Sequence, residues 1–256
     1  MTEWQAVVLG IVEGISEFLP ISSTGHLILT AHILGIKHTD FVKSFEISIQ
    51  LGSILAVVVL YFNRLIRDYE IWKRIIAAFI PTGIIGFLLY KLIKGFLIGN
   101  DLVVVVSLIL GGIILIFADT YCEKFCYLGD VRELPLRKAF MIGVFQSIAV
   151  IPGVSRSGST IIGGMLMGLN RKVAAEFSFL LAIPTMFAAT TYDLIKSGGS
   201  FNAQEWNILI IGFITSFITA LIVVKWFLNF LKSHSLKIFG FYRILIGLVY
   251  AAFFLF

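Results

Sequence analysis

Residues 13 to 26 read Glu13-Gly-Ile-Ser-Glu17-Phe-Leu-Pro20-Ile-Ser22-Ser23-Thr24-Gly25-His26. Carboxylates, hydroxyls and an imidazole are concentrated in this stretch, and apolar runs lie on both sides of it. Ionisable groups at membrane depth are costly, so they face a cavity or a partner and mark functional sites. The stretch is therefore a candidate site, and the chain around it indicates where that site lies.

The composition of the chain is that of a helical membrane protein. Hydrophobic residues make up 59% of the 256 residues and charged residues only 14%, whereas a soluble domain is about half apolar and a quarter charged. A soluble all-helical protein is excluded because several apolar runs reach or approach spanning length. The net charge of +5 follows the predicted membrane orientation, so no nucleic-acid partner is expected. Residues 1–4 show no signal-peptide features, and we expect none to be cleaved.

The apolar segments fall into two length classes. Six are predicted to cross the bilayer, at about 47–62, 75–93, 102–118, 174–192, 207–228 and 238–256. Four are too short or too polar to span, at about 6–19, 23–36, 139–151 and 158–169. These four form two pairs, each broken by Pro and Gly, and non-helical backbone at membrane depth must line a cavity or be buried in protein. The predicted fold is an all-α polytopic membrane protein with about six transmembrane helices and two broken re-entrant helix pairs.

The two broken pairs resemble each other at a shift of 133 positions. Gly10-Ile-Val-Glu13-Gly-Ile15 matches Gly143-Val-Phe-Gln146-Ser-Ile148, and Ser22-Ser-Thr-Gly25 matches Ser155-Arg-Ser-Gly158. Three spanning segments follow each pair, and because three is odd, the second unit must be inserted upside down. We therefore predict one integral membrane domain, 1–256, built from inverted repeats at about 1–118 and 139–256. Such repeats place a site at their interface, near the bilayer midplane.

The distribution of basic residues predicts the orientation. A cytoplasmic connector 63–74 puts thirteen of the 20 Lys and Arg residues on that side and five on the other, as the positive-inside rule requires. Both termini are then expected outside. Arg156 lies in the second break, and Arg243 is expected to snorkel or to pair with a carboxylate. Cys122 and Cys126 lie in a polar connector and are expected to be free thiols, because no further Cys or His accompanies them.

Glu13 and Glu17 form an acidic half of the predicted site. Four positions apart on a helix, they share one face, and two ionised carboxylates there repel unless a cation lies between them. The pair indicates a divalent-metal site, a proton-handling pair or salt bridges to Arg156. Carboxylates suit Mg²⁺ or Ca²⁺, and Mg²⁺ typically uses one or two carboxylates plus substrate phosphates. His26 follows as a candidate acid or base.

The second break forms an anion-binding half. It reads Pro152-Gly-Val-Ser155-Arg156-Ser157-Gly158-Ser159-Thr160 and directly precedes an apolar helix. Hydroxyls, backbone amides freed by glycine and a helix N-terminus bind anions, and Arg156 adds a planar fork matched to phosphate oxygens. Ser22, Ser23 and Thr24 open a helix in the first break, either as a further phosphate cradle or as plain N-caps. The two halves together favour a lipid-soluble substrate that carries phosphate.

At these residues the sequence resembles the undecaprenyl-pyrophosphate phosphatase family, also known as the bacitracin-resistance proteins, over essentially its full length. The run Val12-Glu-Gly-Ile-Ser-Glu-Phe-Leu-Pro-Ile-Ser-Ser-Thr-Gly-His26 reproduces the first family signature, and Pro152-Gly-Val-Ser-Arg-Ser-Gly158 the second. Residues 45–54 and 176–182 also resemble family segments. The resemblance implies removal of the terminal phosphate from the C55 lipid pyrophosphate, giving the monophosphate carrier of peptidoglycan synthesis. It also implies bacitracin resistance and dependence on a divalent cation.

The resemblance further implies a multi-pass protein of the bacterial cytoplasmic (inner) membrane. Its partners would be a polyprenyl pyrophosphate and membrane lipids, and a homodimer is one possible assembly. The main rival function is a secondary transporter or a polyprenyl-phosphate flippase, because inverted repeats with broken helices are typical of transporters.

By motif, the resemblance also implies roles for individual residues. Glu13 and Glu17 correspond to the essential acidic pair and to the metal ligands, Ser23 and His26 to the proposed nucleophile and base, and Arg156 to the phosphate-binding arginine. Supporting polar positions are Ser22, Thr24, Ser155, Ser157 and Thr160. The sequence leaves open whether Ser23 or an activated water attacks the phosphorus.

Overall fold

The computed structural model describes residues 1–37, 39–92, 100–197 and 201–254. Within these ranges the chain forms ten α-helices and no β-strand, which confirms the predicted all-α class. The helices are α1 Glu3–Ser16, α2 Ser23–Ile33, α3 Asp40–Arg67, α4 Tyr69–Leu92, α5 Asp101–Phe125, α6 Leu136–Ser147, α7 Arg156–Leu166, α8 Arg171–Ser197, α9 Ala203–Phe230 and α10 Lys237–Phe254. Short 3₁₀ turns at Val131–Glu133 and Ile148–Val150 precede and follow α6.

Five helices among the described residues are long and apolar enough to cross a membrane. They are α3, α4, α5, α9 and α10, and they contain five of the six predicted spans. The sixth predicted span, 174–192, lies in α8, whose 27 residues extend about 40 Å; its role as a span stays a prediction. The predicted ends at 93 and 256, and the side chains of Lys91, Lys94 and Lys196 used in the orientation argument, lie outside the described part.

The two predicted broken pairs are four short helices. α1 and α2 contain 14 and 11 residues, and α6 and α7 contain 12 and 11. At 1.5 Å per residue none of them crosses a hydrocarbon core of about 30 Å. A turn over residues 17–22 joins the first pair, and residues 148–155 join the second. Their re-entrant insertion, and the opposite orientation of the two halves in a bilayer, stay predictions.

Residues 133 positions apart make equivalent contacts in the two halves. A Cβ atom on Gly10 would lie 2.8 Å from the main-chain oxygen of Gly212 in α9, and one on Gly143 would overlap the main-chain oxygen of Ala78 in α4. α1 thus packs on α9 as α6 packs on α4, each through a glycine. The broken pair of each half therefore lies against a long helix of the other half.

The main apolar core surrounds the turn of the first break. Phe18, in that turn, is fully buried and meets the ring of Phe179 of α8 edge-on, with ring centroids 5.2 Å apart. Phe227 of α9 lies on the other side of Phe179, at 6.2 Å. α8 also packs on α3 and α7. The core therefore fixes the first break against α8, the long helix that follows the second broken pair.

Cys122 and Cys126 form a disulfide, so the expectation of free thiols is wrong. Both lie at the C-terminal end of α5, where Cys126 is the C-cap and has extended backbone (φ −96°, ψ 90°). Leaving the helical conformation at this residue brings the two sulfurs together. Their Cα atoms are 4.9 Å apart, which lies within the usual range for a disulfide.

Candidate active site

The helices that follow the two breaks begin in the same way. Ser22 and Ser155 are the N-caps of α2 and α7, with φ of 72° and 75°. The Ser22 hydroxyl accepts from the Gly25 amide at 3.5 Å, and the Ser155 hydroxyl accepts from the Gly158 amide at 3.0 Å. This capping orders the first turn of each helix, whose amides carry partial positive charge.

The two helix N-termini line one cavity of about 130 Å³. The lining residues are Glu17, Ser22, Ser23, Thr24, Gln50, Ala149, Ile151, Pro152, Gly153, Ser155, Arg156 and Met186. Two positive helix ends and an arginine meeting at one concave surface favour an anionic ligand. Of the predicted site residues, this surface brings together Glu17, Ser22, Ser23, Thr24, Ser155 and Arg156.

Glu17 joins the two breaks through its carboxylate. Arg156 Nη2 donates to Glu17 Oε1 at 2.7 Å, and Ser23 Oγ donates to Glu17 Oε2 at 2.6 Å. The Glu17 side chain is only 4% exposed and the Arg156 side chain 13%. Breaking such a buried pair leaves an uncompensated charge and costs about 3–5 kcal/mol. The predicted salt bridge to Arg156 is therefore formed by Glu17, and it includes the candidate nucleophile.

Arg156 has further contacts that fix its plane. Its Nη1 donates to the main-chain oxygen of Ser178 at 3.1 Å, and its Nη2 also contacts Met186 Sδ at 3.4 Å. The guanidinium lies over the Phe18 ring, 5.6 Å from its centroid. Its Nε is buried without a protein partner. The side chain is thus held rigidly at the cavity wall.

Glu13 differs from Glu17 in that it does not line the cavity. It is fully buried, and neither of its carboxylate oxygens has a hydrogen-bond partner. Glu17 lies beside it, and Glu46 of α3 and Arg156 are within electrostatic reach. An ionised carboxylate buried without a partner is strongly unfavourable. The site therefore requires a proton or a cation at Glu13.

The donor set fits half of a Mg²⁺ or Ca²⁺ site. Among the residues that the structure describes, no three His, Cys, Asp or Glu side chains form a preassembled metal-binding group. Glu13 and Glu17 supply two carboxylates, one of them with both oxygens free. Mg²⁺ commonly takes one or two protein carboxylates and completes its shell with water and substrate phosphates. The residues thus fit a cation that binds together with a phosphate-bearing substrate.

Two predicted substrate-binding residues turn away from the cavity. Ser157 Oγ donates to the main-chain oxygen of Phe18 at 2.6 Å. Thr160 Oγ1 shares its proton between the main-chain oxygen of Arg156, at 2.8 Å, and Gln146 Oε1, at 3.2 Å. Both are buried. Ser157 therefore ties the second break to the first, and Thr160 belongs to a separate polar network.

That network surrounds Gln146, which stands 133 positions after Glu13. Gln146 Nε2 donates to Thr82 Oγ1 at 3.0 Å and to Thr185 Oγ1 at 3.2 Å. The amide is therefore satisfied on both its nitrogen and its oxygen. The second half thus holds a neutral, paired group where the first half holds an unpaired carboxylate.

His26 is not paired with Ser23 in this structure. Its Nδ1 lies 2.8 Å from the main-chain oxygen of Ser22, and its Nε2 lies 2.8 Å from Tyr242 Oη in α10. Since the Ser23 hydroxyl donates to Glu17, the acceptor beside the candidate nucleophile is a carboxylate. A role for His26 as a base stays a prediction.

Arg243 is the main structural residue that sequence reasoning missed. It is 1% exposed and binds five main-chain oxygens at 3.0–3.3 Å, those of Pro20, Ser107, Leu108, Gly153 and Val154. The expectation that it snorkels or pairs with a carboxylate is wrong. Its guanidinium instead joins both breaks to α5, and the signal for this was a lone charge inside an apolar run.

Gln50 and Met186 are cavity residues that also escaped sequence reasoning. Both belong to long helices, α3 and α8, that pack beside the breaks. The sequence around each residue is that of an apolar helix, and it does not indicate whether the side chain lines a cavity or packs in the core.

These features define a class of protein: a helical polytopic membrane protein with a cavity lined by two helix N-termini and an arginine, between two broken helix pairs. The family model described as "Bacitracin resistance protein BacA" matches residues 6–249, and the chain belongs to this family.

Curated relatives match nearly the whole chain. It is 56% identical over 251 residues to the undecaprenyl-diphosphatase of Sulfurihydrogenibium sp. (strain YO3AOP1), with 98% of both chains covered. It is 52% identical to those of Persephonella marina, covering 97% of this chain and 98% of that protein, and Thermus thermophilus, covering 100% and 98%.

Proposed function

We propose that the protein is an undecaprenyl-diphosphatase. It hydrolyses undecaprenyl pyrophosphate to undecaprenyl phosphate and inorganic phosphate, which recycles the lipid carrier of peptidoglycan synthesis and confers resistance to bacitracin. The chain belongs to this family, and one observation in its structure carries the proposal. Arg156 of the second break pairs with Glu17 of the first, and the Ser23 hydroxyl donates to the same carboxylate.

The pyrophosphate binds where the N-termini of α2 and α7 meet. The first-turn amides and the hydroxyls of Ser22, Thr24 and Ser155 face its oxygens, and Arg156 supplies positive charge. Phosphoryl transfer depends mainly on positioning and on electrostatic stabilisation of the transferred group. The prenyl chain remains in the surrounding hydrocarbon, where its burial costs nothing.

Glu17 acts as the base, which the hydrogen bond from Ser23 supports. In the covalent route, Ser23 Oγ attacks the terminal phosphorus while its proton passes to Glu17 Oε2, 2.6 Å away. The bond from that phosphorus to the bridging oxygen breaks, and undecaprenyl phosphate leaves. Water then hydrolyses the phosphoserine. In the direct route, Glu17 takes a proton from water, and this water attacks the phosphorus.

Glu13 and Glu17 would hold a divalent cation, Mg²⁺ or Ca²⁺, which would neutralise the charge that develops on the phosphate oxygens. The support for this site is the unpartnered carboxylate of Glu13. Glu13 supplies the second carboxylate of this site. Its burial without a protein partner requires either this cation or a proton.

In the cell, the protein lies in the cytoplasmic (inner) membrane with both termini outside, as a monomer or a homodimer. The first break then enters from the outer face, where a carrier released by cell-wall assembly needs dephosphorylation. The support is the distribution of basic residues around the five described apolar helices.

The test is phosphate release from a polyprenyl pyrophosphate by the purified protein in detergent, where no gradient exists. We expect release that requires Mg²⁺ or Ca²⁺ and is lost in Arg156→Ala. Binding of the lipid without release would overturn the proposal and favour a flippase or transporter. A phosphate trapped on Ser23 supports the covalent route, whereas retained turnover in Ser23→Ala supports direct attack by water.

A further inference from the structure

α2 and α10 meet through a histidine and a tyrosine. His26 Nε2 lies 2.8 Å from Tyr242 Oη, and the two rings stack with centroids 5.5 Å apart and an interplanar angle of 10°. Tyr242 is 37% exposed, and no motif of the chain includes it. The pair lies one helical turn beyond the capped start of α2, where the cavity-lining residues Ser22, Ser23 and Thr24 stand.

The partners of His26 determine its tautomer. Nδ1 lies 2.8 Å from the main-chain oxygen of Ser22, and a carbonyl oxygen can only accept a hydrogen bond. Nδ1 must therefore carry a proton and donate it. In the neutral ring Nε2 then holds the lone pair, so the Tyr242 hydroxyl donates to Nε2. Any proton that His26 gains or loses while this bond to Ser22 persists enters or leaves at Nε2.

The backbone that carries Tyr242 is anchored to both breaks. The next residue, Arg243, binds the main-chain oxygens of Pro20 in the first break and of Gly153 and Val154 in the second. Tyr242 is thereby held at a fixed distance from the start of α2. A tyrosine elsewhere on a lipid-facing helix would have no such constraint.

We propose that Tyr242 is a positioning residue for the phosphatase site, which holds the ring of His26 with Nε2 as its single proton-exchange atom. The inference rests on the proposed function. The Tyr242 hydroxyl donates to Nε2 while the ring is neutral, and it turns to accept from Nε2 when the ring is charged. Tyr242 thus supports both protonation states of His26 without a carboxylate beside it.

Tyr242→Phe tests the inference because it keeps the stacked ring and removes only the hydroxyl. We expect kcat for phosphate release to fall about 3- to 10-fold, the effect of one neutral hydrogen bond, with KM unchanged. In a His26→Gln background the same substitution should have no further effect on kcat. Tyr250→Phe is the matched control: it lies on the same helix, its hydroxyl donates to Asp101 Oδ1 at 2.8 Å, and its kcat should match the wild type.

A spectroscopic measurement separates positioning from a general loss of structure. In protein labelled with ¹⁵N-histidine, the signal that disappears in His26→Gln belongs to His26, one of four histidines. We expect the pattern of a ring protonated at Nδ1, with the Nε2 signal displaced in Tyr242→Phe and undisplaced in Tyr250→Phe. A ring protonated at Nε2, or an unchanged kcat in Tyr242→Phe, overturns the inference. Absence of phosphate release by the wild-type protein would instead overturn the proposed function.

Discussion

Ser22 and Ser155, 133 positions apart, are the two non-glycine residues with positive φ in the described part of the chain, at 72° and 75°. Each caps a helix whose first turn lines the cavity. Residues in such sparsely populated conformations cost about 1–3 kcal/mol and cluster at functional sites. At both residues, the strained backbone therefore lowers the stability of the fold and the capping hydrogen bond raises it.

Substitution of Ser155 separates these two effects. Ser155→Ala keeps the strained φ and loses the hydrogen bond to the Gly158 amide, so the free energy of unfolding should fall by about 1 kcal/mol. Ser155→Gly loses the same bond but adopts positive φ without strain, so its loss should be smaller. Chemical unfolding in detergent micelles measures both. A larger loss for Gly than for Ala would contradict this interpretation of the break.

Arg156→Ala should lower phosphate release by about 10²–10³-fold, by comparison with the loss of one transition-state hydrogen-bond donor. Arg156→Lys should not restore it, because a lysine cannot reach Glu17 Oε1 and the Ser178 oxygen with one planar group. The measurement is turnover in detergent, with gel filtration to verify folding. Arg132→Ala is the control: Arg132 is 60% exposed in its pair with Asp130, and turnover should be unchanged.

Glu13→Gln should lose the dependence of turnover on Mg²⁺ or Ca²⁺ together with most of the turnover itself. In the presence of a chelator the folded wild type must hold a proton at Glu13, so its free energy of unfolding should fall relative to that of Glu13→Gln as the pH rises. Glu176→Gln is the control for a carboxylate that does have partners. Glu176 pairs with Arg64 at 3.0 Å and with Lys172 at 3.6 Å, so its neutralisation should destabilise the protein. A difference in free energy of unfolding between Glu13→Gln and the wild type that does not change with pH would show that Glu13 has a partner.

Gly111 and Gly86 test the role of Arg243. A Cβ atom on Gly111 would overlap Arg243 Nη2, whereas one on Gly86 would meet nothing within 4 Å. Gly111→Ala should therefore destabilise the protein by about 1–3 kcal/mol through overpacking, and it should reduce turnover because the guanidinium holds both breaks. Gly86→Ala should stabilise α4 by up to about 1 kcal/mol. Thermal unfolding of the two variants in one detergent decides between these outcomes; equal effects would contradict the proposed constraint.

Much of the fold follows from local sequence patterns. Apolar length predicts α3, α4, α5, α9 and α10, and Pro and Gly mark both breaks, because these features act within one segment. The shift of 133 positions also predicts which residues occupy equivalent places. Gly10 and Gly143 are one such pair, and they contact Gly212 and Ala78.

The partners within the site were less predictable, because they depend on side chains from distant helices. Ser23 donates to Glu17, while His26 contacts Tyr242, which lies 216 positions away. Arg243 was expected to snorkel or to pair with a carboxylate, but main-chain oxygens of the two breaks and of α5 satisfy it. The disulfide also escaped prediction, since it depends on where α5 ends and not on the spacing of its cysteines alone.

The contrast between Glu13 and Gln146 has a consequence for direction. A backbone with two-fold similarity has no preferred face, and two identical halves would offer equal reaction centres towards both sides of a bilayer. Gln146 holds a satisfied amide where the first half holds the unpartnered carboxylate of Glu13. Val150 and Arg156 likewise stand where the first half has Glu17 and Ser23. Both acidic side chains of the site therefore come from one half, so the repeated backbone carries one set of reacting groups and not two.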